Sequence, residues 1–444
     1  MLPRSEATNF ESSSRINLQR IEQVIQMNIA LVFPRSIFLI DPMVYPPLGL
    51  WYLAAQIEAL GHHCDYYDLS VDELPNDGDY DQLWLSATSS QMHEVRIIAA
   101  KVKDWQKTKT IFGGAAPWSG IRDVDQLGFS QVFAGEGDHP KTVEFLLSHD
   151  SPKIIHQPPT PGALDWVLPP VRRWSDKYHS YLIDHSGNKH VTTTLFTSRG
   201  CPMACTICES GRAGVIWDKF VRYDPVALVE KQMQDIIETG HTGVMYYDDI
   251  FPLNKERTLK ILKLHRKYKL IYRCFLRTDV IIKQGGFYYL KEMAQSGLIE
   301  VLAGVESADN QIKDNINKGT TIEQDTMVLN WCKQLGIKFK ASIILGLPGE
   351  TRETLETTRR WILENRPDRV DINTLIPFPG TPITRAPKGT YDVYWTEAFP
   401  EEYWFKGPRN DTQALVGTSH LEPAEIKEFH KQLMTEIERE GIPY

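Results

Sequence analysis

Cysteine is scarce in this sequence, with six in 444 residues. Such sparing use does not suggest a disulfide scaffold. A reducing cytoplasmic setting is the expected home, where grouped cysteines signal metal or redox chemistry. An excess of positive charge is also missing: Lys and Arg number 49 against 57 Asp and Glu. That balance argues against a protein built to grip nucleic-acid backbones, so no nucleic-acid partner is expected. No apolar run approaches the length of a membrane span, and the N-terminus lacks the basic-then-apolar pattern of a signal peptide. No Ser/His/Asp set and no paired-carboxylate hydrolase signature stands out. What is present is an ordinary folded composition, 42% hydrophobic and 24% charged, in a chain long enough for two or three domains.

Residues 1–26 are polar and irregular and read as a leader, frayed or forming a short added helix, with Met27 as an alternative start. Over 27–150 the pattern becomes regular. Strands are predicted at 28–33, 63–69, 83–89, 110–114 and 131–138, with helices at 48–61, 91–107 and 140–148. Strands alternating with helices imply a parallel, doubly wound α/β sheet of flavodoxin-like (Rossmann-type) order, which binds ligands at the carboxyl ends of its strands. Residues 151–190 are Pro-rich without periodicity and read as a linker. Alternation restarts at 191, with predicted strands at 191–198, 243–249, 271–277, 299–307, 338–346 and 368–378. Helices are expected near 224–239, 254–268, 287–296, 321–335 and 351–364. Six such repeats over 191–383 predict a partial (β/α)6 barrel of TIM type. Residues 384–444 are aromatic and charged, with a helix near 422–440. They read as a small C-terminal cap or substrate subdomain, either lining the pocket or packing on the open side of the barrel.

Half of the cysteines fall in one stretch, "TTTLFTSRGCPMACTICESGRAG", as Cys201, Cys205 and Cys208. The spacing C-x3-C-x2-C admits structural zinc, an iron–sulfur cluster or coincidence. Structural zinc wants four protein ligands, and no further Cys or His follows Cys208 until His241. Three thiolates and a free position suit a cubane cluster with one open iron. The loop also follows the first strand of the second repeat set, at the end where barrel enzymes place their chemistry.

"SRGCPMACTIC" after a strand resembles the signature of radical S-adenosylmethionine (SAM) enzymes. The resemblance implies a [4Fe–4S] cluster on Cys201, Cys205 and Cys208, with the methionine part of SAM chelating the open iron. One departure is Ile207, where the family usually has an aromatic residue before the last cysteine. Other stretches resemble the family's strand-end motifs. "YYDD" offers Asp248 and Asp249 near the methionine amino group, since carboxylates accept hydrogen bonds from an ammonium. "RTD" places Arg277 to face a carboxylate, and "GVES" places Glu306 beside the cofactor. "SIILGLPGET", beginning at Ser342, resembles the motif that backs the adenine, and "LIPFPGTPI" resembles the last-strand motif.

The two-part organisation further resembles the cobalamin-binding subgroup of this family, the class B methyltransferases. "YPPLGLWYLAAQIEALGH", "SATSSQ", "GGAAP" and "GEGD" carry that likeness, from about Met27 to about Ile383. The implied cobalamin-binding candidates are Thr88, Ser89, Gly113, Gly114, Gly135, Glu136 and Gly137. The D-x-H-x-x-G motif of many cobalamin domains is absent. The residue covering the lower face of cobalt is therefore expected from loops 34–45 or 88–93, with His93 open as a ligand or as a surface helix residue. The implied reaction is methylation of an unactivated carbon of a small-molecule, lipid or peptide substrate, through a 5′-deoxyadenosyl radical and methylcobalamin. An external electron donor of flavodoxin or ferredoxin type is implied too. Competing readings are a non-methylating oxidative cyclase or rearrangement enzyme, and a ligand-binding sensor. An RNA methylthiotransferase is discounted because Cys64, Cys274 and Cys332 are scattered singly.

Overall fold

The computed structural model describes residues 26–121, 123–148, 153–157, 162–210, 220–396, 400–408 and 411–444. The leader read at 1–26 lies outside the described residues except for its last position.

The first sheet contains β1 (Asn28–Phe33), β2 (His63–Asp68), β3 (Gln82–Ser86), β4 (Lys109–Gly113), β5 (Gln131–Gly135) and β6 (Ile154–Gln157). All pairings are parallel, in the order β2-β1-β3-β4-β5-β6. Parallel strands buried on both faces read as continuous apolar runs, and β1 shows why. Its Ile29 and Leu31 enter one core and its Ala30 and Val32 the opposite one. Helices α1 (Leu48–Ala59) and α4 (Pro140–Leu147) cover the first face, and α2 (Met92–Val102) with α3 (Ala115–Trp118) the second. The strand order reverses between β1 and β3, so the loops after them flank a topological switch point, the usual ligand edge of such a sheet.

The second sheet begins with β7 (Ser180–Ile183) and β8 (Lys189–Leu195), followed by a short antiparallel pair, β9 (Ser198–Arg199) with β10 (Arg222–Tyr223). It continues through β11 (Gly243–Tyr246), β12 (Ile271–Leu276), β13 (Leu298–Glu306), β14 (Lys338–Leu345) and β15 (Arg369–Thr374). The order is β15-β14-β13-β12-β11-β8-β7, with β7 antiparallel to β8 and the other six parallel. β15 does not pair back to β8, so the barrel stays open. Around it lie α5 (Val226–Glu238), α6 (Lys255–Tyr268), α7 (Thr278–Gln284), α8 (Gly286–Ala294), α9 (Asn310–Asn315), α10 (Ile322–Leu335) and α11 (Arg352–Asn365). The chain ends with α12 (Pro382–Arg385), the pair β16 (Tyr394–Trp395) and β17 (Val416–Gly417), and α13 (Pro423–Arg439).

Strand alternation divides the barrel side chains. Tyr272, Cys274 and Leu276 of β12, Val301, Ala303 and Val305 of β13, and Phe339, Ala341, Ile343 and Leu345 of β14 join the helices in one core. Their neighbours Arg273, Phe275, Leu302, Gly304, Glu306, Lys340, Ser342 and Ile344 therefore face the barrel interior. α13 buries Ile426, Phe429, Leu433 and Ile437 in that same core, so it completes the barrel wall. Residues 401–408 go elsewhere. Glu401 pairs with Arg96 on α2 at 2.6 Å, and Trp404 enters the first-sheet core.

The stretch read as a linker, 151–190, supplies an edge strand to each sheet, β6 and β7. Each is four residues long, too short to show periodicity. The sequence pattern also misses α7 and α9, short helices starting at or near strand ends. Among the described residues no helix is long and apolar enough to cross a membrane.

Candidate active site

The three-cysteine loop leaves the carboxyl end of β8. It is pinned from several sides: the Thr206 N–H donates to Ile316 O at 2.9 Å, the Ile383 N–H to Thr206 O at 3.0 Å, and Asn317 Nδ2 to Ala204 O at 2.9 Å. Cys201 is buried among Met203, Ile250, Leu253 and Val280, while Cys205 and Cys208 are half-buried. Ile207 packs against the buried cluster that contains Ile312, Ile316 and Leu347, so an apolar residue occupies the position before the last cysteine. Arg277 Nη1 lies 3.7 Å from Cys205 Sγ. Burial pushes the Cys201 thiol up to about 11, against a hydrogen bond from the Met203 backbone. Cys64, Cys274 and Cys332 are buried in the two cores and offer no fourth thiolate here. Among the described residues no three Cys, His, Asp or Glu side chains converge on a single ion. Three thiols spread along one loop, with a guanidinium beside them, fit a body wider than one ion that keeps a position open.

The strand ends around this loop carry charge. Asp249 follows β11 and lies beside Cys201; burial raises its carboxyl to about 7, with Asp248 adding to the rise and hydrogen bonds from Gly200 and Ser210 opposing it. Asp248, named with it from the sequence, has another task. Its two oxygens accept from the Thr197 N–H at 2.7 Å, Thr197 Oγ1 at 2.6 Å and Ser198 Oγ at 2.6 Å, and it is wholly buried. It ties the end of β8 to β11, and both of its oxygens are already engaged in the protein. Arg277 is held by Asp279 at 3.1 Å and by the Lys318 carbonyl. Glu306 ends β13 at a register irregularity with φ 64°, a rare conformation for a residue with a side chain, and its Oε1 accepts from Lys318 Nζ at 2.6 Å. A Cβ on Gly304 would sit 2.4 Å from Glu306 Oε1 and 2.6 Å from Lys318 Nζ, so glycine there makes the pair possible. Burial works against the Lys318 charge, but Glu306 and Cys205 outweigh it and hold its ammonium above the ordinary value. Ser342 faces the interior of β14, in register with Gly304 and Asp371.

The carboxyl edge of the first sheet meets this site directly. Ser89, after β3, is buried, and its Oγ donates to Glu209 Oε1 at 2.9 Å; Glu209 is the residue following Cys208. Ser119 Oγ accepts from Ser89 Oγ at 3.1 Å. Thr88 is exposed and its N–H donates to Gln91 Oε1 at 3.0 Å. Gly113 and Gly137 have room for a Cβ at ordinary contact distance. Two other glycines are explained by packing. At Gly114 (φ 94°) a Cβ would lie 2.6 Å from Ala87 O, and at Gly135 it would lie 2.2 Å from Gln157 O on β6. Glu136, expected on a cofactor, is instead engaged by two arginines of the β9–β10 pair. Its oxygens accept from Arg199 Nη1 at 2.7 Å and from Arg222 Nη1 at 2.7 Å, and Asp138 takes Arg199 Nη2 at 2.6 Å. These groups are nearly water-free, so the pairs lock the two sheets in one orientation. His93 lies on α2, its ring 3.5 Å from Glu402.

Residues 195–362 match the radical SAM superfamily. The chain carries a radical SAM domain. Such a domain uses a [4Fe–4S] cluster and SAM, and the three cysteines lie inside the matched span. An uncharacterized methyltransferase of Pyrococcus horikoshii is 25% identical over 392 residues, covering 80% of this chain and 82% of that protein. Among solved structures, the radical SAM methyltransferase TsrM from Kitasatospora setae, with tryptophan and a SAM analogue bound, aligns with TM-score 0.63 at 15% identity. The alignment covers 84% of this chain and 79% of TsrM. The cobalamin-dependent radical SAM enzyme OxsB aligns with TM-score 0.57 at 17% identity, over 77% of this chain and 52% of OxsB. At these identities the structural likeness establishes the fold, radical SAM domain and preceding sheet together.

Several residues at the radical SAM domain's edge escaped the sequence reading. Lys318, Glu209, Arg199 and Arg222 act across long sequence separations, and no local pattern marks them. Glu209 alone had a signal, its position beside Cys208.

Proposed function

We propose that the chain is a cobalamin-dependent radical SAM methyltransferase acting on an unactivated carbon of a small-molecule, lipid or peptide substrate. The observation that carries this reading is the meeting of two ligand edges: the loop of Cys201, Cys205 and Cys208 contacts the loops at the switch point of the first sheet through Glu209 and Ser89. The methyltransferase name of the Pyrococcus relative, the cobalamin and [4Fe–4S] cluster named for TsrM and the aqua-cobalamin named for OxsB support it. In this reading residues 27–150 hold cobalamin, 191–383 hold cluster and SAM, and an external flavodoxin- or ferredoxin-type donor supplies electrons.

The groups, when bound, supply a 5′-deoxyadenosyl radical on one side and a transferable methyl on the other. The chain's part is to hold and orient. Cys201, Cys205 and Cys208 are the cluster ligands. Asp249 accepts the SAM ammonium. Arg277 and Lys318 offset the thiolate charge and face the SAM carboxylate, with Glu306 fixing Lys318. Ser342 and the turn after β14 back the adenine. Thr88, Ser89, Gly113 and Gly137 line the cobalamin edge, and the pairs of Glu136 and Asp138 with Arg199 and Arg222 keep water from the seam.

The test is anaerobic reconstitution with iron, sulfide and cobalamin, followed by reduction with SAM. Release of 5′-deoxyadenosine with S-adenosylhomocysteine is expected, and both should vanish in Cys205→Ala. 5′-Deoxyadenosine without S-adenosylhomocysteine would favour non-methylating radical chemistry, and a Cys205→Ala protein that still cleaves SAM would overturn the cluster assignment.

A further inference from the structure

The barrel interior is not uniform. On the side of β8, β11 and β12 it presents aromatic rings. Tyr247 stands 5.8 Å from Phe196 and 6.3 Å from Phe275, centroid to centroid. Tyr45 joins them at 5.7 Å from Tyr247, yet it belongs to the loop after β1 in the first sheet. Arg273 Nη2 donates to the Tyr45 hydroxyl at 3.0 Å and is neutralised by Glu300 at 3.2 Å, so this side carries no net charge. Phe275 remains 36% exposed although its strand neighbours Cys274 and Leu276 are buried in the core. Phe196 also packs on the first-sheet core, and a ring left open on an interior face beside other aromatics, as Phe275 is, is the usual lining of a small-molecule site.

The opposite side, β14 and β15, is ionic. Lys340 and Lys406 both hold one carboxylate, Asp371, Lys340 at 3.5 Å and Lys406 in direct hydrogen bond. Burial alone would raise the Asp371 carboxyl, but the two ammonium groups outweigh it and leave it below the ordinary value. Two cations on one anion leave one positive charge uncompensated. None of the three is sealed, with side-chain exposure of 17% to 22%. Two residues along the same face, Asn373 Oδ1 is buried without a hydrogen-bond partner among the described residues. Lys406 arrives on the segment that also sets Phe405 against Phe38, 5.1 Å apart, from the loop after β1. Both walls are thus closed by residues of the first sheet's switch-point loop or of the segment docked on it.

We infer that the methyl acceptor is a compound with a planar, apolar body and an anionic group, the body lying on Tyr45, Phe196, Tyr247 and Phe275 and the anion received by Lys340 and Lys406. This rests on the proposed reaction taking place between the two sheets. A carboxylate or a phosphate satisfies the lysines equally, since an ammonium recognises either as a point charge.

The experiment uses the full-length, cluster-reconstituted protein and ligand-observed NMR with five probes: 3-phenylpropionate, phenyl phosphate, 3-phenylpropionamide, phenethylamine and hexanoate. The acid or the phosphate should bind at least tenfold tighter than the amide, the amine and hexanoate. Lys340→Gln should abolish the preference for acid over amide, with Lys340→Arg restoring it. Phe275→Ala should abolish the preference for 3-phenylpropionate over hexanoate. Preferred binding of the amine, equal binding of acid and amide, unchanged preferences in both variants, or binding by none of the probes would overturn the inference. SAM cleavage by the wild-type protein, measured beside it, keeps the two readings apart. Cleavage without the ligand preference sinks the substrate class alone, and the preference without cleavage sinks the reaction instead.

Discussion

At the scale of single residues, two adjacent carboxylates have opposite tasks. Asp248 accepts from three donors, and replacing it disrupts these buried hydrogen bonds. Asp248→Asn is expected to cost about 1–3 kcal/mol of stability, because the amide nitrogen replaces the charged acceptor of two buried hydroxyl hydrogen bonds. Asp249 is half-buried beside Cys201, and desolvation raises its carboxyl to about 7. Asp249→Asn should leave thermal stability unchanged or slightly higher and weaken SAM binding at least tenfold. Thermal melts and SAM titrations of the two variants check this, and the reverse pattern would exchange their assignments. From the sequence "YYDD" both aspartates were legible as candidates. Which one was free was not, because the donors to Asp248 come from Thr197 and Ser198, about fifty residues away.

At the scale of elements, the turn between β14 and α11 stores a pH dependence. Glu350 is wholly buried; its Oε2 accepts from the Gly346 and Leu347 N–H groups, and its Oε1 has no partner among the described residues. Burial raises its carboxyl from the ordinary 4.5 to about 8, the two backbone N–H groups opposing the rise. Between those values the folded state holds a proton that the unfolded state has lost, so stability falls as pH rises, by about 1.4 kcal/mol per pH unit from this group. Glu350→Gln mimics the protonated acid and removes the slope. The variant should match the wild type near pH 5 and exceed it near pH 8 in thermal midpoint; parallel curves would contradict the assignment. Elements themselves were legible where both faces of a strand were buried, as in β1 and β5. They were not legible in β6 and β7, whose identity comes from the strand each one extends.

At the scale of the whole molecule, the two sheets meet carboxyl edge to carboxyl edge. The Glu136–Arg199–Arg222 cluster, the Ser89–Glu209 bond and the Tyr45–Arg273 bond all cross that seam. Glu136 and Gly135 looked like ligand residues because a Gly-rich loop after a strand has the same composition whether it approaches a cofactor or another part of the chain. The cysteine loop could be proposed as one unit from the sequence, since its three thiols lie within eight residues. The Tyr45–Tyr247 and Lys406–Asp371 contacts could not be, because each joins residues that lie far apart in the sequence.

One measurement tests the meeting of the two edges most directly. The protein, reconstituted with cluster and cobalamin and reduced, is incubated with SAM carrying a CD3 methyl group, and the cobalamin is extracted for mass spectrometry. Recovery of cobalamin carrying the CD3 group at near-stoichiometric yield is the expected result. Failure of the folded, cluster-loaded protein to retain cobalamin, or retention of cobalamin that never acquires the label, would contradict it.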